Sequence, residues 1–129
     1  FIVGLLGDSQ KTMRDTIDFA KELDPDIALI NIATPYPGTR LWQIIHDNPR
    51  AKLYFHNWDD FHHTSGRMFY WVPGMAKPKV VEKMYRQFSR EFYFRPRFIL
   101  RQLPKIFSPN FWSFAYFGLK RIVFASRGK

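Results

Sequence analysis

Two short apolar runs, FIVGLL at residues 1–6 and IALINIA at residues 27–33, each end at a turn containing glycine or proline, and an amphipathic stretch lies between them. That order constrains the fold more than any other feature of the chain. A continuous apolar run of this length, bounded by turn signals, reads as a strand buried on both faces, as in parallel sheets. Parallel neighbours need a crossover of about a dozen residues, usually a helix. Residues 10–23 supply it, with Met13, Ile17, Ala20 and Leu23 at helical spacing and Phe19 on the flank. Lys11 with Asp15 and Arg14 with Asp18 lie four apart on the opposite side. Asp8 or Ser9 can cap the first turn. Asp24-Pro25 ends the helix, because the residue before proline is pushed out of the α region. The expectation is one right-handed βαβ unit with parallel strands.

Thr34-Pro35-Tyr36-Pro37-Gly38-Thr39 follows as a rigid turn, and Thr39 or Gly38 opens a helix with Leu41, Trp42, Ile44 and Ile45 that fades at Asp47-Asn48-Pro49. Residues 50–76 are aromatic without a sustained period, and one short strand is predicted at 68–72. Pro78 suits the first turn of a helix over 78–94, whose Val81, Met84, Tyr85, Phe88 and Phe92 form an apolar stripe. A short helix at 97–103 and a last one at 110–126 complete the reading. The fold class is therefore α/β: a partial (β/α) barrel remnant, residues 1–48, followed by a mostly helical extension, residues 49–129.

Charge divides the chain at the same place. Residues 1–48 carry four Lys/Arg against seven Asp/Glu, whereas residues 49–129 carry sixteen against four, and from Arg95 onward there are eight basic residues and no acid. Such asymmetry points to a polyanionic partner for the C-terminal part. The segment 95–129 also gathers Phe111, Trp112, Phe114, Tyr116 and Phe117, which suits a helix lying on an anionic membrane surface. Packing of this helix on the rest of the protein is the competing reading. Nucleic-acid binding rests only on interleaved basic and aromatic residues and ranks below both, since no RNP, KH or zinc-knuckle pattern is present. No apolar stretch reaches the eighteen or so residues needed to cross a bilayer, and no signal-peptide pattern is seen. A cytoplasmic location, with peripheral membrane contact, is the expectation. The chain has no cysteine, which excludes disulfides, thiolate catalysis and iron–sulfur ligation by these residues.

The string FIVGLLGDSQKTMRDTIDFAKELDPDIALINIATPYPGTRLW resembles the late barrel segment of radical S-adenosylmethionine enzymes, and most of all the cobalamin-binding subclass that includes the anaerobic magnesium-protoporphyrin IX monomethyl ester cyclases. In that family a strand ending in a GLPGE-type turn is followed by a helix, a strand and a PYPGT-type turn. Here Leu6 and Asp8 replace the proline and glutamate of the first turn, while Pro35 to Thr39 match the second fully. The resemblance implies a parent oxidoreductase, cyclase or methyltransferase that uses S-adenosylmethionine and a [4Fe–4S] cluster, with cobalamin as a further cofactor, on a tetrapyrrole or lipid-like substrate. It also implies that the backbone of Val3, Gly4 and Leu5 approaches the adenine, and Tyr36 is its candidate on the substrate side. Gly4 and Gly7 serving only a tight turn, and Tyr36 packed between two prolines, are the plainer alternatives.

The family's CxxxCxxC cluster motif has no counterpart in a chain without cysteine. With no initiator Met and a start inside a strand, the expectation is a fragment that is inactive by itself and belongs with a missing N-terminal part of the same enzyme. A non-catalytic membrane-surface or interaction module is the alternative. His56, His62 and His63 with Asp59 and Asp60 match no standard ligand spacing, so no metal site is assigned. No catalytic residue is assigned either. Parallel strand edges left open predict self-association.

Overall fold

The computed structural model describes residues 1–54 and 66–104, together with Trp112, Tyr116, Phe117 and Lys120. The chain is a mixed α/β structure with the order β1 (Ile2–Val3), α1 (Gln10–Leu23), β2 (Asn31–Ile32), α2 (Arg40–His46), β3 (Lys52–Leu53), β4 (Tyr70–Trp71), α3 (Pro78–Tyr93) and α4 (Pro96–Gln102). β1 and β2 are parallel, with Ile2 opposite Asn31 and Val3 opposite Ile32, so the expected βαβ unit is present. α1 has the expected bounds. Ser9 caps it reciprocally with Thr12: the Thr12 amide donates to Ser9 Oγ at 3.1 Å and the Ser9 amide donates to Thr12 Oγ1 at 3.0 Å. Two orphan donors of the first turn are thereby satisfied.

The strands differ from expectation in length and in burial. Each of the two strands is two residues long, and Gly4 at φ 78° turns the chain out of the sheet directly after Val3. Val3, Ala28, Ile30 and Ile32 are buried, whereas Ile2 is 53% exposed, Ile27 50% and Leu29 48%. The two runs are thus covered on one face rather than both. The reason is geometric: α1 packs against α3 and α3 against β2, so these helices shield the residues that alternate toward them and leave the others bare.

The extension completes the covered side. β3, which the sequence did not signal, pairs antiparallel with β4, placing Lys52 opposite Trp71 and Leu53 opposite Tyr70. α3 buries the expected stripe of Val81, Met84, Tyr85, Phe88 and Phe92, and the Phe88 and Phe92 rings stack in parallel with centroids 5.9 Å apart. One hydrophobic cluster joins residues from Val3 to Phe98.

Two polar clamps tie α1 to the extension. Glu91 of α3 accepts from Arg14 at 2.6 Å, Lys21 at 3.1 Å and Gln87 at 2.7 Å. These bonds, that from Arg14 foremost, hold its carboxyl down at about 2. At the end of α1, Asp24 adopts the left-handed conformation with φ 45°, a backbone state that costs a non-glycine residue stability. Arg95 at 2.7 Å and Arg101 at 3.1 Å pair with its carboxylate, and they also donate to the carbonyls of Lys21 and Pro25. Arg95 lies over the Phe92 ring at 4.2 Å. The histidine-rich segment 56–63 and most of the last expected helix lie outside the described residues. Among the described residues no helix is long and apolar enough to cross a membrane.

Candidate cofactor-binding edge of the parallel strands

Because β1 and β2 are parallel, their C-terminal ends lie at one edge, and both glycine turns leave from it. Open α/β sheets bind ligands at that edge. The register carries this to the turns themselves, since Ala33 N donates to Val3 O at 2.9 Å. Gly4 to Asp8 and Thr34 to Thr39 therefore start side by side.

The first turn is held at every corner. Asp8 Oδ2 accepts from Leu5 N at 2.9 Å, Asp8 N donates to Leu5 O at 3.0 Å, and Asp8 Oδ1 accepts from Thr12 Oγ1 at 3.1 Å. Two bonds come from the extension: Ala76 N donates to Asp8 O at 2.6 Å, and Tyr70 Oη donates to Gly4 O at 2.6 Å. Tyr70 is fully buried, and that burial, with the Asp8 charge nearby, pushes its phenol well above the ordinary tyrosine range, so it remains a donor. A Cβ on Gly4 would lie 2.9 Å from Val81 Cγ1 and 3.0 Å from Met68 Sδ, at φ 78°. Glycine is required here by packing of the extension as well as by backbone conformation.

The second turn is built differently. Pro35 is fully buried and anchors it, while Thr39 caps α2 by accepting from Trp42 N at 3.2 Å and donates Oγ1 to Tyr36 O at 2.6 Å. The Tyr36 side chain is exposed at the edge.

Of the residues singled out by the sequence, Val3 and Gly4 are buried, whereas Leu5 and Tyr36 are exposed. Val3 O, Gly4 O and both Leu5 backbone groups are already bonded within the chain. What Leu5 offers a ligand is therefore apolar side-chain surface, shared with the exposed Leu6, rather than free backbone hydrogen bonds of its own. Asn31, the one polar residue in 27–33, is a further candidate. It sits opposite Ile2, between Ile30 and Ile32 that face the helices, and its Oδ1 is buried without a hydrogen-bond partner among the described residues. A buried acceptor left unpaired is costly, and its isolation in an apolar run is the sequence signal that marks it.

The tyrosines of the extension carried no such signal. Residues 28, 30 and 32 of the second run direct their backbone groups away from β1, and at Ala28 those groups are taken by Tyr93: its hydroxyl accepts from Ala28 N at 3.3 Å and donates to Ala28 O at 2.8 Å. On the opposite edge Tyr70 donates its hydroxyl to Gly4 O at 2.6 Å. Each open side of the parallel pair thus carries one tyrosine hydroxyl. Among the described residues no group of three or more acidic or imidazole side chains is placed to hold a metal ion.

This α/β edge presents exposed apolar side chains at Leu5 and Leu6, with Tyr36 exposed on the neighbouring turn. In an alignment of 108 residues that covers 80% of the chain, it is 33% identical to an uncharacterized methyltransferase of Pyrococcus horikoshii. It spans 21% of the length of that relative. No family model matches the chain, and no solved structure matches it. The chain is thus homologous to part of a protein named as a methyltransferase.

Proposed function

We propose that the chain is the C-terminal part of an S-adenosylmethionine enzyme of the radical type, and that the edge formed by Leu5, Leu6, Asn31 and Tyr36 faces the cofactor and its substrate. The observation that carries this reading is the parallel β1–β2 pair with both glycine turns leaving from one edge; the homologous methyltransferase supports the cofactor class. Asn31 Oδ1 fits the role of acceptor for an amine donor of S-adenosylmethionine, and Leu5 and Leu6 offer apolar surface to its adenine. Enzymes of this kind draw their reactivity from S-adenosylmethionine reduced by one electron at a [4Fe–4S] cluster. No residue of this chain fits that cluster, because cysteine is absent, so its ligands are assigned to another part of the enzyme, as is any cobalamin site. A tetrapyrrole or a lipid-like molecule is the substrate class proposed. The chain's own residues bind and orient; by themselves they carry out no step of the chemistry.

The test uses the full-length protein, reconstituted anaerobically with iron and sulfide. Reductive release of 5′-deoxyadenosine from S-adenosylmethionine is expected, and its absence from a cluster-loaded protein would overturn the reading. Asn31→Ala is expected to weaken S-adenosylmethionine binding about tenfold, the value of one hydrogen bond to a buried acceptor, as read by equilibrium dialysis.

A further inference from the structure

α3 carries a second, unrelated pattern on its outer side. Lys79, Lys83, Arg86 and Arg90 follow one another at spacings of four, three and four, and all four are exposed. They make a straight basic ridge of roughly 16 Å at the rise of an α-helix. No ion pair engages any of them among the described residues. The two acids of the same helix are committed elsewhere: Glu82 accepts from Met68 N at 3.1 Å and Glu91 binds Arg14 and Lys21. Among the described residues the ridge is therefore of one sign and without an ion-pair partner.

Apolar side chains follow it in sequence. α3 ends at Tyr93, and past the extended Arg95 the short helix α4 begins at Pro96, where Arg97 pairs with Asp24 at 3.3 Å. Phe94, Ile99, Leu100 and Leu103 are exposed, Leu100 by 64%. Among the described side chains of α4, only Phe98 is buried. Trp112, Tyr116 and Phe117, further along, are exposed as well. A row of cations beside protruding apolar side chains is what a helix needs to lie at a bilayer interface, with cations meeting anionic headgroups and apolar tips entering the acyl boundary. A nucleic-acid partner would match the cations and could stack on the aromatic rings, but Ile99, Leu100 and Leu103 have no ring to offer a base.

We propose that the outer face of α3, continued by Phe94 and α4, docks on an anionic lipid bilayer. The face is opposite the α3 stripe packed on α1 and β2, so docking needs no change in the core. Each basic residue near an anionic surface contributes roughly a fivefold factor in partitioning, and four together give a factor of several hundred before the apolar side chains contribute. Binding should weaken as salt is raised.

The full chain is sedimented with vesicles of phosphatidylcholine alone and of phosphatidylcholine with about a third phosphatidylglycerol. Binding to the mixed vesicles and not to the neutral ones is expected. Replacing Lys79, Lys83, Arg86 and Arg90 together by Gln, which keeps helix propensity, is expected to reduce partitioning at least about a hundredfold with an unchanged thermal melt. Leu100→Asp is expected to weaken binding while leaving its salt dependence in place. Equal binding by the four-fold variant, no binding to anionic vesicles, or capture of a single-stranded oligonucleotide at salt concentrations where vesicles are ignored would each overturn the proposal.

Discussion

The two faces of the β1–β2 pair come from alternate residues of the same two runs, yet they have opposite surroundings. Val3, Ala28, Ile30 and Ile32 are sealed under α1 and α3, while Ile2, Ile27 and Leu29 stand about half exposed. Parallel strands are ordinarily covered on both faces. Of the described residues, only one side is supplied with cover, and that side holds the buried rings of Tyr85, Phe88 and Phe92 of α3, two charge clamps and the fully buried Tyr70. The bare side carries half-exposed apolar residues, and Asn31 alternates with the buried Ile30 and Ile32, its own Oδ1 buried and without a hydrogen-bond partner among the described residues. What separates the faces is therefore which elements reach them, not how apolar they are.

The covered face should respond most strongly to change. Phe88 is fully buried, stacked on Phe92 and 5.5 Å from the Phe1 ring. Phe88→Ala is expected to cost about 3–5 kcal/mol, because it removes a large side chain and leaves a cavity. Urea denaturation followed by far-ultraviolet dichroism reads the loss. A cost below about 1 kcal/mol would mean that α3 is not seated on the strands as described.

The next effect lies at the sheet edges. Tyr70→Phe leaves the buried Gly4 carbonyl without its donor and is expected to cost about 1–3 kcal/mol. Tyr93→Phe should cost less, since its bonds to Ala28 are only partly buried. Combining the two leaves backbone groups on both outer edges of the pair without their hydrogen-bond partners, which favours pairing with another chain. The double variant is expected to self-associate more than the unaltered chain in sedimentation velocity; no change would show that the hydroxyls do not guard the edges.

Glu91 comes third. Its carboxyl is held at about 2 in the folded chain against an ordinary value of 4.5, so the folded state binds the proton more weakly than the unfolded state does. The associated stability is present in full above about pH 4.5 and is lost as pH falls toward 2. Its side chain is 30% exposed, and solvent screening limits the contribution to roughly 1–2 kcal/mol. Glu91→Gln is expected to lower stability by that amount at neutral pH and to match the unaltered chain near pH 2. A constant difference across the range would remove the charge clamp from the account.

Much of the covered face was legible in the sequence, and the reasons are local. α1 has the expected bounds because its cap and its proline stop are both written in adjacent residues. The α3 stripe follows from spacing alone. β3 was not legible, since two exposed residues carry no pattern, and the roles of Tyr70 and Tyr93 were hidden because hydrogen bonds across 65 residues or more leave no periodicity. The bare face was misread for a related reason. An uninterrupted apolar run reports that both faces are apolar, but it does not report whether this chain supplies both covers. At the candidate edge, Pro35 to Thr39 could be read as a turn and a cap, whereas the filled space beside Gly4 depended on Met68 and Val81, which only the fold brings there.

The smallest expected effect tests the comparison most directly. Leu29 sits one residue from Ile30 on the same run, yet it is about half exposed where Ile30 is buried. In the isolated chain, Leu29→Ser should remain within about 0.5 kcal/mol of the unaltered protein, as surface substitutions generally do. Ile30→Ser should cost several times more, because it places a hydroxyl in the apolar layer under the helices. If Leu29→Ser proves as costly as Ile30→Ser, the second face is covered in the isolated chain and the asymmetry between the faces fails. If the cost appears only in a longer protein that contains this chain, the cover comes from the added residues, and the difference between the two measurements gives the contribution of that contact.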